Sequence, residues 1–461
     1  MKYNFKYKRI LSLLFVGLIA SSCEKQLEEQ KPQASLDAAT AFTDAPSVNA
    51  GINGVYSGFQ SGNYYGLRYQ LLNDLTTDNI NHSGSFPSFA QIDNNNILPD
   101  NAEVTNMYNT IYGSINDANT VIAAIPGVTD QTLNKDAALA ELRTARALMY
   151  FDLVRYFGGS VDGYGKANGV GVSIKTTPTT VVADAEPIPR GTEAQVYTQV
   201  LQDLDFAIGV AGFANKSSVY RFSKDFATSL KSRVQLYRGQ FAEAEALATS
   251  IISSNRYSLV SGANYASMWT AKATSEAIFE LEFNPADQNF IAFFYYPSNR
   301  GGRNEVTSSA SLNNAHETGD VRKAINFTTT VPTAKTAKAF RVSTGDDNVI
   351  ILRLAELYLI RAEARVRKTT PDIVGALADL NVIRRRAGLA NLVTISTTAI
   401  LEDILKERRV ELAHEGHRWF DLRRYNRTSD LNISEPFRNL WPIPQREVLT
   451  SGGIIAQNDK Y

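Results

Sequence analysis

The hydrophobic residues of this chain recur at steps of three and four over much of its length, which is the spacing of one buried helix face. The first long run lies between Met107 and Ile125, and Pro126-Gly127 ends it. Further runs of the same spacing predict helices over residues 138–156, 193–206, 222–237, 241–252, 354–367, 373–387 and 400–412. The pattern therefore predicts a mainly α fold.

Two pairs of these predicted helices are related by an internal repeat. A shift of 132 residues aligns Arg233 with Arg365, together with apolar positions on both helices of each pair. The run Gly239-x-Phe241-x-x-Ala244 follows the turn and second helix of a tetratricopeptide unit, with glycine at the turn and a small residue where helices approach closely. Two helix pairs in matching phase predict a tetratricopeptide-like scaffold. Chance alignment of amphipathic helices is the alternative.

Long stretches without helical spacing interrupt this scaffold, which is expected at about 104–257 and 350–424. Residues 73–101 are rich in Asp, Asn, Ser and Gly, and residues 284–349 carry a run of aromatic residues before Gly301-Gly302. Loops of this length in a folded chain are usually functional or disordered, and disordered segments are poor in aromatic residues. We therefore expect one domain over 35–461, with ligand-face loops at about 60–103 and 284–349.

Composition excludes several classes of function. The 461 residues include 47 Lys and Arg against 47 Asp and Glu, so the formal net charge is zero. A nucleic-acid binder needs a basic stripe, which this balance does not favour. One Cys and four His exclude an internal disulfide framework and zinc sites built from several thiolates. We expect no cofactor, no metal and no nucleic-acid partner.

The N-terminus has the parts of a secretory signal. Residues 1–9 carry four basic and no acidic side chains, residues 10–20 are apolar, and Ser21-Ser22 precedes Cys23. An eleven-residue helix rises about 16 Å, too little to cross a hydrocarbon core of about 30 Å. We predict a signal peptide over 1–22, a lipidated Cys23, and a polar tether over 23–34. The alternative is a stray Cys in an ordinary signal peptide.

Cleavage before Cys23 changes the charge balance of the protein. It removes four basic residues and no acidic residue, which leaves 43 basic against 47 acidic side chains and a net charge of −4 over 439 residues. The neutral balance thus belongs to the precursor.

The sharpest enzyme-like cluster is His414-Glu415-Gly416-His417, with Glu411 one turn earlier. Histidines at i and i+3 share a helix face and chelate metals, but Gly416 interrupts the helix between them. The neighbouring Glu and Arg residues alternate at helical spacing, as in structural ion-pair networks. A polar helix terminus is the preferred interpretation, and a lipid-anchored hydrolase is a remote alternative.

Two clusters of aromatic, amide and charged residues favour ligand binding. Sugars present apolar C–H faces rimmed with hydroxyls, which aromatic platforms flanked by Asn, Asp and Arg bind well. In the alternative interpretation, these aromatics anchor the long loops in the core, and the second cluster also resembles a buried strand. The candidate ligand-binding residues are Tyr65, Asp78, Asn81 and Phe89 in the first cluster, and Tyr295, Tyr296 and Arg300 in the second.

Several segments resemble the SusD/RagB outer-membrane lipoproteins. They include INGVY (52–56), ELRTARALMYFDLVRYFGG (141–159), RLAELYLIRAEA (353–364), LNVIRRRAGL (380–389), residues 407–424 and LWPIPQRE (440–447). The lipobox around Cys23 also fits, although Ala20 replaces the usual Leu. His414 stands where the family usually has Phe, which favours a packing role for this side chain.

The resemblance implies a SusD-like α-α superhelix of tetratricopeptide-like helix pairs whose loops form a ligand face. It implies a surface lipoprotein, anchored to the outer membrane of a Bacteroidetes-type bacterium, that delivers oligosaccharide to a SusC-type TonB-dependent transporter. In the RagB branch the ligand is a peptide, which is the alternative here. No catalysis is implied, and the motifs lie on scaffold helices, so they do not identify the ligand.

Overall fold

A computed structural model describes residues 41–216, 218–326, 344–431, 433 and 435–461. The predicted signal peptide, Cys23 and the whole tether lie outside the described residues.

The described chain is mainly helical, as the spacing of apolar residues predicts. In chain order its α-helices are α1 (Ala45–Gln60), α2 (Arg68–Leu75), α3 (Pro87–Asp93), α4 (Ala102–Ala124), α5 (Lys135–Phe157), α6 (Glu193–Gly209), α7 (Lys224–Tyr237), α8 (Phe241–Ile252), α9 (Ile291–Tyr295), α10 (Ala310–Ala315), α11 (Lys323–Asn326), α12 (Leu354–Arg367), α13 (Ile373–Arg386), α14 (Thr397–Glu411), α15 (Arg418–Arg424) and α16 (Gln445–Thr450). Short 3₁₀ turns, of which Gly262–Trp269 is the longest, join some of them.

Capping residues set where the scaffold helices begin. Asn101 accepts hydrogen bonds from the backbone N–H groups of Glu103 and Val104, so α4 begins five residues before the apolar run that predicts it. Thr192 and Gln195 form a reciprocal capping box at the start of α6. Since a capping side chain satisfies N–H groups that precede the apolar stripe, periodicity alone places such starts too late.

The long helices pack one against the next in a series. Each of α4, α5, α6, α7, α8, α12, α13 and α14 contacts the next one in that order, and α1 packs on α4. The pairs α7–α8 and α12–α13 are the two units of the predicted repeat. Ala244 and Ala376, which the shift aligns, are both fully buried where helices approach. The tetratricopeptide-like arrangement of helix pairs is therefore present.

In the described residues, six short strands form three two-stranded antiparallel sheets within the connecting segments. The strands are β1 (Ile80–His82), β2 (Val170–Ser173), β3 (Arg190–Thr192), β4 (Ala277–Leu281), β5 (Val306–Ser308) and β6 (Val349–Arg353). The pairs are β1–β5, β2–β3 and β4–β6. Since β1 and β5 belong to the two long stretches predicted as ligand-face loops, their pairing brings those stretches together.

Within the part of the chain that the structure describes, no helix combines the length and apolar character that a membrane span requires.

Candidate ligand-binding face

The two predicted loop regions meet along the β1–β5 ladder. Asn81 pairs with Thr307, and His82 pairs with Val306. The buried Glu305 carboxylate accepts hydrogen bonds from the backbone N–H groups of Ser85 and Phe86 at 2.9 and 2.7 Å. Each buried carboxylate oxygen needs such partners, so Glu305 fixes the first loop against the second.

Aromatic side chains from both regions form one exposed surface beside this ladder. Phe290 and Phe293 have exposed fractions of 51% and 41%. Phe290 lies against Gly62, where an added Cβ would come within 2.7 Å of the ring. Phe86 stacks on the half-buried Phe294, with ring centroids 6.2 Å apart. The close approach of these groups makes the surface a continuous feature of the two loops.

Arginines border these rings. The Arg303 guanidinium lies 4.3 Å from the ring centroid of Phe86, and its backbone N–H donates to the Phe293 carbonyl at 2.7 Å. Arg300 lies 5.5 Å from the ring centroid of Tyr296. Cation–π contacts hold both guanidinium groups beside the rings, and both arginines are exposed. The surface, called the aromatic face below, consists of Phe86, Phe290, Phe293, Tyr296, Arg300 and Arg303.

Three of the predicted ligand-binding residues lie in the core, and the structure corrects these predictions. Tyr65 is 3% exposed, and its hydroxyl donates to Asp152 at 2.8 Å. Phe89 is fully buried against Phe294. Tyr295 is 2% exposed. A ligand at the surface does not reach these rings, so the alternative interpretation, aromatics that anchor the loops, is the right one for them.

Asp78 is also engaged within the protein. Its carboxylate forms ion pairs with Arg409 at 2.9 Å and Arg418 at 3.1 Å. Burial raises the pKa of the Asp78 carboxyl, but Arg418 and Arg409 outweigh it, and the pKa lies below its ordinary value. Asp78 therefore holds the first loop on α14 and α15.

Asn81, Tyr296 and Arg300 remain candidates for ligand contact. Asn81 is exposed on β1, Tyr296 is half-buried, and Arg300 is exposed after α9. The aromatic face adds Phe86, Phe290, Phe293 and Arg303, which the sequence places in the same clusters without singling them out. A helical period over 290–296 identifies the exposed pair, because Phe290 and Phe293 are at i and i+3, while the buried Ile291 and Tyr295 are at i and i+4.

The His414–His417 segment is a packed structural region. Helix α14 ends at Glu411, so both histidines lie beyond it. Burial, with nearby Arg233 and Arg408, holds the pKa of His417 well below its ordinary value. Among the residues that the structure describes, no group of three His, Cys, Asp or Glu is arranged to hold a metal ion.

Glu411 is committed to arginine partners. Its fully buried carboxylate pairs with Arg322 at 3.0 Å and Arg353 at 2.5 Å, and it also binds Arg386. Guanidinium donors therefore occupy the hydrogen-bond acceptor sites of this carboxylate. This arrangement does not poise Glu411 as a general base.

Comparisons with known proteins agree in both halves of the chain. A family model described as "SusD family" matches residues 248–439, and one described as "Starch-binding associating with outer membrane" matches residues 26–236. SusD-like protein P38 of Formosa agariphila is 26% identical, over 99% of this chain and 100% of its own length.

Solved structures show the same fold. A SusD superfamily protein from Bacteroides thetaiotaomicron superposes with a TM-score of 0.76 at 25% identity, covering 90% of this chain and 99% of its own. A laminarin-binding SusD-like protein superposes with a TM-score of 0.76 at 24% identity, covering 91% of this chain and 100% of its own.

Proposed function

Because the chain belongs to the SusD/RagB family, we propose that it binds oligosaccharide on the aromatic face and delivers it to a SusC-type TonB-dependent transporter. The observation that carries this proposal is the exposure of Phe290 and Phe293 on one surface bordered by arginines. Large exposed aromatic groups are uncommon on soluble surfaces unless a ligand or partner covers them.

The chemistry of the aromatic face suits a sugar. Phe290 and Phe293 offer apolar ring faces to the C–H side of a pyranose, while Arg300 and Arg303 offer forked N–H donors to its hydroxyls. Asn81, exposed on β1 of the adjoining ladder, adds an amide with both donor and acceptor atoms. An apolar platform with a few placed polar groups is the usual composition of a small-ligand site.

Binding is tested by calorimetry on a soluble form that lacks residues 1–23, against neutral and acidic oligosaccharides. We expect binding of at least one class, and a Kd raised at least tenfold, about 1.4 kcal/mol, in Phe290→Ala/Phe293→Ala. The control is Val393→Ala, which truncates an apolar residue that is 84% exposed and is not part of the aromatic face. The proposal is contradicted if none of the oligosaccharides binds, or if mass spectrometry detects peptides that copurify with the protein. These results favour the RagB-type alternative.

In this proposal Cys23 carries the acyl chains that hold the folded domain, residues 35–461, at the outer surface of the outer membrane. Lipid chains on a Cys next to a polar tether anchor a protein while its domain stays in water. Cys23→Ser should move the protein from the membrane fraction to the soluble fraction, and surface proteolysis of intact cells should reach only the anchored form. Retention of Cys23→Ser in the membrane contradicts the anchor, and a transporter that fails to copurify with the detergent-solubilised protein contradicts the partner.

A further inference from the structure

A groove follows one side of α1. The helix presents polar side chains at steps of four, three and four residues, next to its buried stripe of Val48, Ile52, Val55 and Phe59. With a rise of about 1.5 Å per residue, this polar stripe extends about 16 Å. The stripe consists of Asn49, Asn53, Tyr56 and Gln60.

Two clefts along this stripe meet at Arg221. One has a volume of about 300 Å³ and lies between the start of α1, with Asn49, and the start of α5, with Asn134. The other has a volume of about 390 Å³ and lies between the second half of α1 and the segment that carries Tyr220. Because Arg221 lines both clefts, they adjoin at this residue, and together they are called the α1 groove below.

The floor of the α1 groove is held rigidly. Arg221 donates to both carboxylate oxygens of Glu141 at 2.6 and 2.9 Å and to Asn53 Oδ1 at 3.0 Å. The Tyr56 hydroxyl donates to Glu141 at 2.6 Å and accepts from the Phe222 N–H at 2.7 Å. The Arg221 charge is balanced by Glu141, and the bond to Oδ1 fixes the orientation of the Asn53 amide and its two N–H donors.

The groove ends beside the aromatic face. Gln60, the last residue of α1, donates to the Glu282 carbonyl at 2.5 Å. Gly62, two residues later, is the residue against which Phe290 packs. Gln60 and Gly62 are two residues apart, which places the end of the groove near the ring of Phe290.

We propose that the α1 groove holds the extension of a neutral oligosaccharide whose end lies on the aromatic face, which rests on the proposed function. Amide and hydroxyl groups at every helical turn match a polymer that presents hydroxyls at every sugar residue. The half-buried ring of Tyr220 supplies apolar contact to a sugar C–H face. Since the central guanidinium is already paired, the groove favours a neutral chain over an acidic one.

The test compares chain lengths. Malto- and laminari-oligosaccharides, each as disaccharide and heptasaccharide, are titrated into the soluble wild-type protein and into Asn53→Ala/Tyr220→Ala. We expect the wild type to bind one heptasaccharide at least tenfold more tightly than its disaccharide, and the double variant to lose that preference. Asn53→Ala alone should reduce the heptasaccharide preference by about threefold. Since it lies at an exposed helix position that favours alanine, this variant gives a result even where the double variant misfolds.

The outcomes separate the groove from the face. Phe293→Ala is the matched control, and it should weaken both lengths and keep the ratio of their Kd values. The groove proposal is wrong if the wild type shows no heptasaccharide preference, or if both groove variants retain it. Either result leaves the proposed function standing. No binding of either sugar series by the wild type overturns the groove and counts against the proposed function as well.

Discussion

Helix α9 places a buried aromatic and an exposed aromatic two residues apart, which allows core packing and ligand binding to be separated. Tyr295 is 2% exposed, while Phe293 is 41% exposed. We expect Tyr295→Ala to lower stability and Phe293→Ala to lower ligand affinity. The two substitutions remove similar ring areas from the same short helix, so each is the matched control for the other.

The magnitude for Tyr295→Ala follows from its burial. Truncating a fully buried aromatic costs about 3–5 kcal/mol, through lost transfer free energy and the cavity left behind. The unfolding entropy of a folded chain of this size is about 0.9 kcal/mol/K, at about 2.1 cal/mol/K per residue. The melting temperature should therefore fall by about 4 °C. Because Phe293 is already near half exposure, Phe293→Ala should lower the free energy of unfolding by about 1 kcal/mol and the melting temperature by about 1 °C.

Differential scanning calorimetry measures both melting temperatures, and isothermal titration measures binding of the oligosaccharide that the wild type takes. Tyr295→Ala that keeps the wild-type melting temperature but loses binding would refute the burial argument and restore Tyr295 as a ligand contact. Phe293→Ala that keeps the wild-type Kd would refute the aromatic face instead.

Three further outcomes are expected. Glu363→Gln should lower the free energy of unfolding by about 3–5 kcal/mol, because its fully buried carboxylate neutralises arginines. The control is Glu402→Gln, whose side chain is 54% exposed in a surface pair with Arg427, and it should cost under about 1 kcal/mol in the same denaturant titration. Burial raises the pKa of Glu363, but Arg424 and Arg367 outweigh burial, and the pKa falls to about 2. The stabilisation that the ionised Glu363 contributes is therefore complete above about pH 4.5 and is lost as the pH falls towards about 2. The difference in melting temperature between the wild type and Glu363→Gln should narrow between pH 6 and pH 3. Gly62→Ala should displace the Phe290 ring and raise the Kd for the ligand several-fold. The control is Gly54→Ala in α1, where an added Cβ meets nothing within 4 Å. This variant should raise the melting temperature slightly and leave the Kd for a disaccharide unchanged.

Periodicity located the scaffold helices because each buries one stripe against its neighbours. The predicted ranges 354–367 and 241–252 coincide with α12 and α8. The internal repeat predicted which positions of the two helix pairs correspond, but it did not predict the ion-pair partners of the aligned residues. Arg233 pairs with Glu356, whereas Arg365, at the aligned position, pairs with Glu245 and Asp379.

The ligand face was harder to predict because its geometry depends on contacts between residues far apart in sequence. Strands β1 and β5 have three residues each, too few for a period to show, and they lie more than 200 residues apart. The aromatic run at 290–296 resembles a buried strand or a continuous platform. The structure folds part of it into one helical turn, which buries Tyr295 and exposes Phe293.

Buried charges explain why the sequence identifies the family and leaves the ligand open. The segments that carry the resemblance supply charged groups of the core, such as Arg146, which pairs with Asp203 at 2.7 Å, and Arg408, which pairs with Asp421 at 2.8 Å. Removing one member of such a pair strands a buried charge, so these positions are fixed together by the fold. Phe290 and Phe293 have no partner that must be kept with them, since their exposed faces contribute little to stability. Under the proposed function, we therefore expect substitution on the aromatic face to change what the protein binds while the helical scaffold beneath it stays the same.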